Sequence, residues 1–127
     1  MNNLKFRAWD KKLKLLGNVS NIDFEFEEVT FYIDDEEELD VSQTFKDVEI
    51  MQSTGLKDKN GLEIFEGDIV RNTHTGSVGR VHWCVHNTGF FYYVEKDKKD
   101  YTVFRAKYNL EVIGNIYEDK ELIENEI

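Results

Sequence analysis

A chain of 127 residues, 40% hydrophobic and 13% aromatic, is long enough for one domain with one core, burying roughly two-thirds of the surface of the unfolded chain. Its formal charge of -10 argues against direct nucleic-acid binding of the usual kind, which gains affinity by replacing phosphate counterions with Lys and Arg. The single cysteine, Cys84, forms no internal disulfide, and the sequence shows neither a basic start with an apolar leader nor an apolar run of the ~20 residues that a membrane span needs, so a cytoplasmic protein off the membrane is expected.

The charge is unevenly distributed along the chain. Residues 1–22 carry five bases and one acid, and residues 23–49 carry twelve acids and one base. In the first segment Lys5, Arg7, Lys11, Lys12 and Lys14 are interleaved with Phe6 and Trp9. The two aromatics read as a core anchor or packed edge, the run Asp10-Lys11-Lys12 as a turn between two strands, and the lysines as modest ion-pair partners of the acidic segment. Next, Ile22, Phe24 and Phe26 alternate with Asp23, Glu25 and Glu27, and Val29, Phe31 and Ile33 alternate with Thr30 and Tyr32. That period of two predicts a hairpin. The five consecutive acids Asp34, Asp35, Glu36, Glu37 and Glu38 repel one another, so the run from Asp34 to Asp40 is expected to be a loop.

A third strand is expected from Phe45 to Gln52, followed by turn chemistry at Asp58-Lys59-Asn60-Gly61, because Asn-Gly takes positive φ at little cost. Short strands then follow at Leu62–Phe65, Ile69–Arg71, Val78–His86, Phe90–Val94, Tyr101–Phe104 and Leu110–Tyr117. They are punctuated by Gly67-Asp68, Thr75-Gly76, Asn87-Thr88-Gly89 and the polar stretch Glu95–Asp100. Acids at the start of the tail and Leu122 and Ile123 within it predict a short helix over 118–126. The expected fold is mainly β: a small curled sheet or SH3-like barrel with an N-terminal hairpin and a short C-terminal helix. As a single domain over 1–127 it divides into an acidic hairpin and loop at 22–44, a barrel-like part at 45–117 and the tail helix.

Three stretches carry a resemblance to a known family. They are Lys5-Phe6-Arg7-Ala8-Trp9-Asp10, the long central block from Met51 through Gly61 and Phe65-Glu66-Gly67-Asp68-Ile69-Val70, and the closing strand Leu110-Glu111-Val112-Ile113-Gly114-Asn115-Ile116-Tyr117. Together they resemble the YopX family of phage and prophage proteins. The resemblance implies a mostly β fold and a bacterial host cell as the setting; it brings no established activity. Read physically, the central block is a loop architecture built on Gly55 and Gly61, and Lys57, Asp58, Lys59 and Asn60 are its candidate recognition loop.

Other constellations were weighed against plainer readings. On an unbroken strand His82, Cys84 and His86 share one face, with neighbours about 6.7 Å apart along it, so three cannot hold one metal. No second cluster supplies further zinc ligands, and the three read better as half-exposed residues opposite core-facing Val81, Trp83 and Val85. A nucleophilic Cys84 lacks any recognisable oxyanion site or orienting group. Asp23, Glu25 and Glu27 would also lie about 6.7 Å apart on a strand face, close to the phosphate spacing of a nucleic acid. With Asp34, Asp35, Glu36, Glu37 and Glu38 they form the candidate interaction surface, either for DNA mimicry or simply as a solvated face that blunts an edge. The expectation is a non-enzymatic phage or prophage accessory protein that binds a protein partner, uses no cofactor and is compatible with homo-oligomerisation. A DNA-mimic inhibitor and a metal-assisted enzyme are the alternatives.

Overall fold

The computed structural model describes residues 4–33, 36–104 and 109–124, with only the backbone described at residues 36–39 and 124. The chain forms two compact units, 1–52 and 53–127, each of which has its own apolar cluster.

The N-terminal unit is an antiparallel sheet. Its strands are β1 (Phe6–Asp10), β2 (Leu15–Asp23), β3 (Glu28–Ile33), β4 (Glu36–Thr44) and the first half of β5 (Val48–Lys57), in the order β4-β3-β2-β1-β5. A 3₁₀ turn at Phe45–Asp47 links β4 to β5. Alternation puts Val29 and Phe31 of β3 on the buried face with Ala8 of β1 and Val48 of β5. Phe31 lies so close to β2 that a Cβ at Gly17 would come within 2.4 Å of its ring and 2.7 Å of the Tyr32 carbonyl oxygen, so position 17 has room only for glycine.

The β1–β2 turn falls on the expected Asp10-Lys11-Lys12 run. Asp10 is fully buried; Oδ1 accepts the N–H groups of Lys12 and Leu13 at 2.9 Å each, and Oδ2 accepts the Gln43 side-chain amide at 2.9 Å. The lysines do pair with the acidic segment, Lys11 with Glu49 at 3.1 Å and Lys12 with Asp47 at 3.3 Å. Burial raises the Asp47 pKa, but hydrogen bonds from Thr44 and Lys12 and the charges of Lys12 and Lys46 outweigh it, holding the carboxyl below its ordinary value of 3.8.

The C-terminal unit begins within β5, whose second half pairs with β6 (Glu63–Phe65) at Ser53↔Phe65 and Lys57↔Glu63. A second antiparallel sheet follows: β7 (Asp68–Asn72), β8 (Val78–Cys84), β9 (Gly89–Val94), β10 (Lys99–Thr102) and β11 (Leu110–Asn115), ordered β10-β9-β8-β7-β11. Val70, Val81, Phe90, Tyr92, Val94 and Leu110 bury one face of it together with Ile64 and Val103. Its outer strands β10 and β11 do not meet, so this is an open curled sheet and not a closed barrel.

The mainly β class stands, and three local expectations are corrected. The run to Asp40 is not all loop, because Glu36–Asp40 opens β4, where the backbone ladder to β3 outweighs the like-charge repulsion; Asp34 and Asp35 lie outside the described residues. The tail helix α1 covers Glu121–Glu124, one turn rather than 118–126, and lies against β8. It starts late because Asn115 Oδ1 accepts the N–H groups of Tyr117 and Glu118, and the Asp119 N–H donates to the Asn115 carbonyl, committing those residues to a turn. Finally, Trp83 and Val85 are exposed, 45% and 75%, where core positions were expected. β8 ends at Cys84, and Trp83 covers the margin of the core by packing edge-to-face on Phe90, ring centroids 5.0 Å apart. Among the described residues no helix is long and apolar enough to cross a membrane.

Candidate functional site

The hairpin expected at residues 22–33 exists, but its strands are β2 and β3 and its turn takes in Phe24–Glu27. Register fixes this, with Ile22 opposite Val29 and Asp23 opposite Glu28. Asp23 stops the strand: its Oδ1 accepts the backbone N–H groups of Glu25 and Phe26, each at 3.0 Å, which folds the chain over the acid. Glu27 then takes the left-handed conformation, φ +54°, and returns the chain to β3.

This turn overturns the side-chain pattern that alternation suggested. Phe24 and Phe26 do not reach a core; they are 78% and 70% exposed. Phe24 touches Phe45 edge-to-face at 5.9 Å, so its ring has a fixed neighbour although most of its surface is in water. Glu25, Glu27 and Glu28 are exposed around the two rings. Asp23, Glu25 and Glu27 therefore do not form the evenly spaced strand-face ladder that motivated DNA mimicry, since Glu25 and Glu27 sit in the turn and one oxygen of Asp23 is engaged by its backbone. What the structure builds instead is an ordered, acidic, bi-aromatic tip. Two exposed rings on a braced turn lose little conformational freedom on being covered, which favours their use as anchors.

The candidate recognition loop is divided between architecture and surface. Asp58 is buried and acts as a joint: Oδ1 accepts the N–H groups of Asn60 at 2.8 Å and Leu62 at 2.9 Å, and Oδ2 accepts that of Val112 at 2.9 Å. Its own N–H donates to the Leu62 carbonyl at 2.7 Å, and the Lys59 N–H to the Leu110 carbonyl at 2.9 Å, with Gly61 at φ +85° completing the turn. Lys57 and Lys59 flank a cleft of about 230 Å³ that Ile64, Val103, Asn109 and Leu110 also line. Lys59 lies 3.9 Å from Glu111, which also binds Arg71. The hydrogen bond from Arg71, followed by the Arg71 and Lys59 charges, holds the Glu111 carboxyl below its ordinary 4.5 against the opposing effect of burial.

The structure separates His82, Cys84 and His86. His82, half-buried, reaches Asp100 with Nε2···Oδ1 of 2.8 Å; Cys84 is buried, its sulfur accepting the Asn87 side-chain amide at 3.4 Å; His86 is exposed in the turn beyond β8. The expectation of three half-exposed neighbours fails for Cys84, which the β8–β9 turn covers. Among the described residues no three His, Cys, Asp or Glu side chains converge as metal ligands. Glu36, Glu37 and Glu38 have their backbone in β4.

The fold and the sequence can be set beside known proteins. The chain matches the YopX protein family over residues 5–124. It belongs to the YopX family. Two solved structures are similar to it over nearly their whole length. Protein EF1440 from Enterococcus faecalis is 28% identical, with a TM-score of 0.66, covering 97% of this chain and 99% of its own. Protein yopX from Bacillus subtilis is 23% identical, with a TM-score of 0.58 and coverage of 96% and 98%, a likeness of fold. No curated protein matches the sequence. The opening, central and closing blocks noted in the sequence all fall within the YopX match, and in this family member the central block builds the Asp58 joint and the turn into β7.

Proposed function

We propose that this YopX-family chain is a non-enzymatic accessory protein of phage or prophage origin, acting in the bacterial cytoplasm by binding a protein partner through the β2–β3 tip. The observation that carries this reading is the pair Phe24 and Phe26, exposed on a turn that Asp23 and the left-handed Glu27 hold in one shape. Large apolar side chains presented this way are characteristic of binding anchors, whereas singly scattered exposed apolar residues are ordinary. The surrounding acids define the partner's chemistry: an apolar socket for two rings, rimmed by Lys or Arg. In such an arrangement the aromatics supply affinity and the rim charges chiefly set approach rate and orientation.

Affinity capture from the lysogenic host tests this at two salt concentrations, with wild-type protein beside the Phe24→Ala/Phe26→Ala variant. Loss of one specific partner in the variant, with wild-type capture weakened only modestly by salt, is the expected result. Capture that survives the double substitution and collapses with salt points to a purely charged surface and removes the tip from the account.

A further inference from the structure

The C-terminal unit carries a second, chemically different feature. A cleft of about 410 Å³ opens between the β7–β8 turn and the β9–β10 turn, lined by Asn72, His74, Thr75, Ser77, Tyr92, Asp97 and Tyr101. That size is in the range of pockets that take small molecules. We propose that it binds a small aromatic ligand bearing an amino group and a hydroxyl.

The walls are fixed by their own hydrogen bonds. Asn72, nearly fully buried, uses Oδ1 to accept the N–H groups of His74 at 2.9 Å and Thr75 at 3.2 Å, and donates from Nδ2 to the Tyr92 hydroxyl at 3.1 Å. Its backbone N–H donates to the Ser77 carbonyl at 2.8 Å and its carbonyl accepts from Gly76 at 2.7 Å, closing the β7–β8 turn. Tyr92 stacks on Tyr101 with centroids 5.5 Å apart, and the Tyr101 hydroxyl donates to Asp97 Oδ2 at 3.3 Å. One wall is therefore aromatic and rigid, and the polar groups are held at its margin.

Those polar groups select the ligand. Asp97 is an exposed carboxylate that asks for a donor, best a cationic amine. Thr75 Oγ1 accepts the Ser77 N–H at 3.2 Å, while the hydroxyl hydrogens of Thr75 and Ser77 have no acceptor among the described residues, so they offer donation to a ligand hydroxyl or ring nitrogen. His74 Nε2 lies 3.1 Å from the Asn109 side-chain nitrogen; with the amide as donor, the imidazole proton sits on Nδ1. No Lys or Arg lines the cleft among the described residues, and Asp97 repels anions, so phosphorylated compounds are disfavoured. Two sources share the required chemistry, a free nucleoside with an exocyclic amine and an aromatic monoamine.

The test is a titration of the full-length ¹⁵N-labelled protein, followed by amide shifts, with two matched pairs: tyramine against 4-ethylphenol, and adenosine against inosine. The amine-bearing member of a pair should saturate shifts at residues 72–77 and 97, and bind about threefold or more tighter than its amine-free counterpart, the advantage one partly exposed ion pair confers. Asp97→Asn, at an exposed position, should erase that preference. Preference within the tyramine pair assigns an aromatic monoamine, and within the adenosine pair a nucleoside. Absence of saturable shifts at the cleft with all four compounds, equal binding within both pairs, or a preference unchanged by Asp97→Asn overturns the proposal.

Discussion

Replacing Asp58 by Ala tests whether the central YopX block is architecture or a free recognition loop. The substitution removes the acceptor of three backbone N–H groups, those of Asn60, Leu62 and Val112. Hydrogen bonds to a charged acceptor contribute about 1.5–3 kcal/mol each, and a donor left buried without a partner costs about 1–3 kcal/mol. Asn60 and Leu62 are exposed, so water can replace the carboxylate there at a residual cost of roughly 0.5–1 kcal/mol each. Val112 is only partly accessible and takes the larger share. The total is about 2–4 kcal/mol, a large fraction of the 5–15 kcal/mol typical of a domain. With a urea slope of about 2 kcal/mol/M the midpoint should fall by roughly 1–2 M, read by tryptophan fluorescence or circular dichroism. In the same assay the Lys57→Ala/Lys59→Ala variant should stay within about 0.5 kcal/mol of wild type, because both side chains are surface groups and the Lys59–Glu111 pair is long. A loss below about 0.5 kcal/mol for Asp58→Ala would refute the reasoning and return the loop to the list of binding surfaces.

Gly17→Ala should destabilise the N-terminal unit by about 1–3 kcal/mol, since the new methyl group meets the Phe31 ring and the Tyr32 carbonyl; urea unfolding reads this, and a neutral substitution contradicts the packing. The depressed pKa of Glu111 has a definite sign: its stabilisation is complete above the ordinary 4.5 and disappears as pH falls through the lowered folded value. Arg71→Gln should move the Glu111 midpoint, followed by carboxyl carbon NMR, back up toward 4.5. Phe24→Ala/Phe26→Ala should cost less than about 1 kcal/mol of stability, because both rings are largely exposed and only the Phe24–Phe45 contact is lost.

Much of the β architecture was legible because its signals are local. The Asp58–Gly61 turn, the turn at Asp10 and strands such as Phe90–Val94 follow from alternation and from residues that accept turn geometry. The hairpin at residues 22–33 was legible as a hairpin, yet its chemistry was not. Ile22, Phe24 and Phe26 keep the period of two through a segment where Asp23 has already captured the N–H groups of Glu25 and Phe26 and ended the strand. Periodicity reports which pattern a chain could use; the side-chain hydrogen bond decides which one it does use. The available signal was Asp23 at the first position of an Asx turn, outweighed by two phenylalanines of high strand preference.

The same limit applies elsewhere. Glu36–Asp40 looked like a repelling loop, but pairing with β3 is a long-range contact that composition does not register. Trp83 was placed on the correct face and still emerged half-exposed, because β8 ends one residue later. The cleft residues were invisible as a group: Asn72, Tyr92 and Asp97 come from β7, β9 and a turn, and only the fold of the C-terminal unit brings them together.

The most direct test of the tip as a binding anchor is side-by-side capture from host cells with wild-type protein and Phe24→Ala/Phe26→Ala, after both are shown to unfold at nearly the same urea concentration. The account predicts that a partner enriched by the wild type is lost from the double variant while Glu25→Gln/Glu27→Gln still captures it with reduced salt sensitivity. Equal recovery of that partner by wild type and the double phenylalanine variant would contradict it.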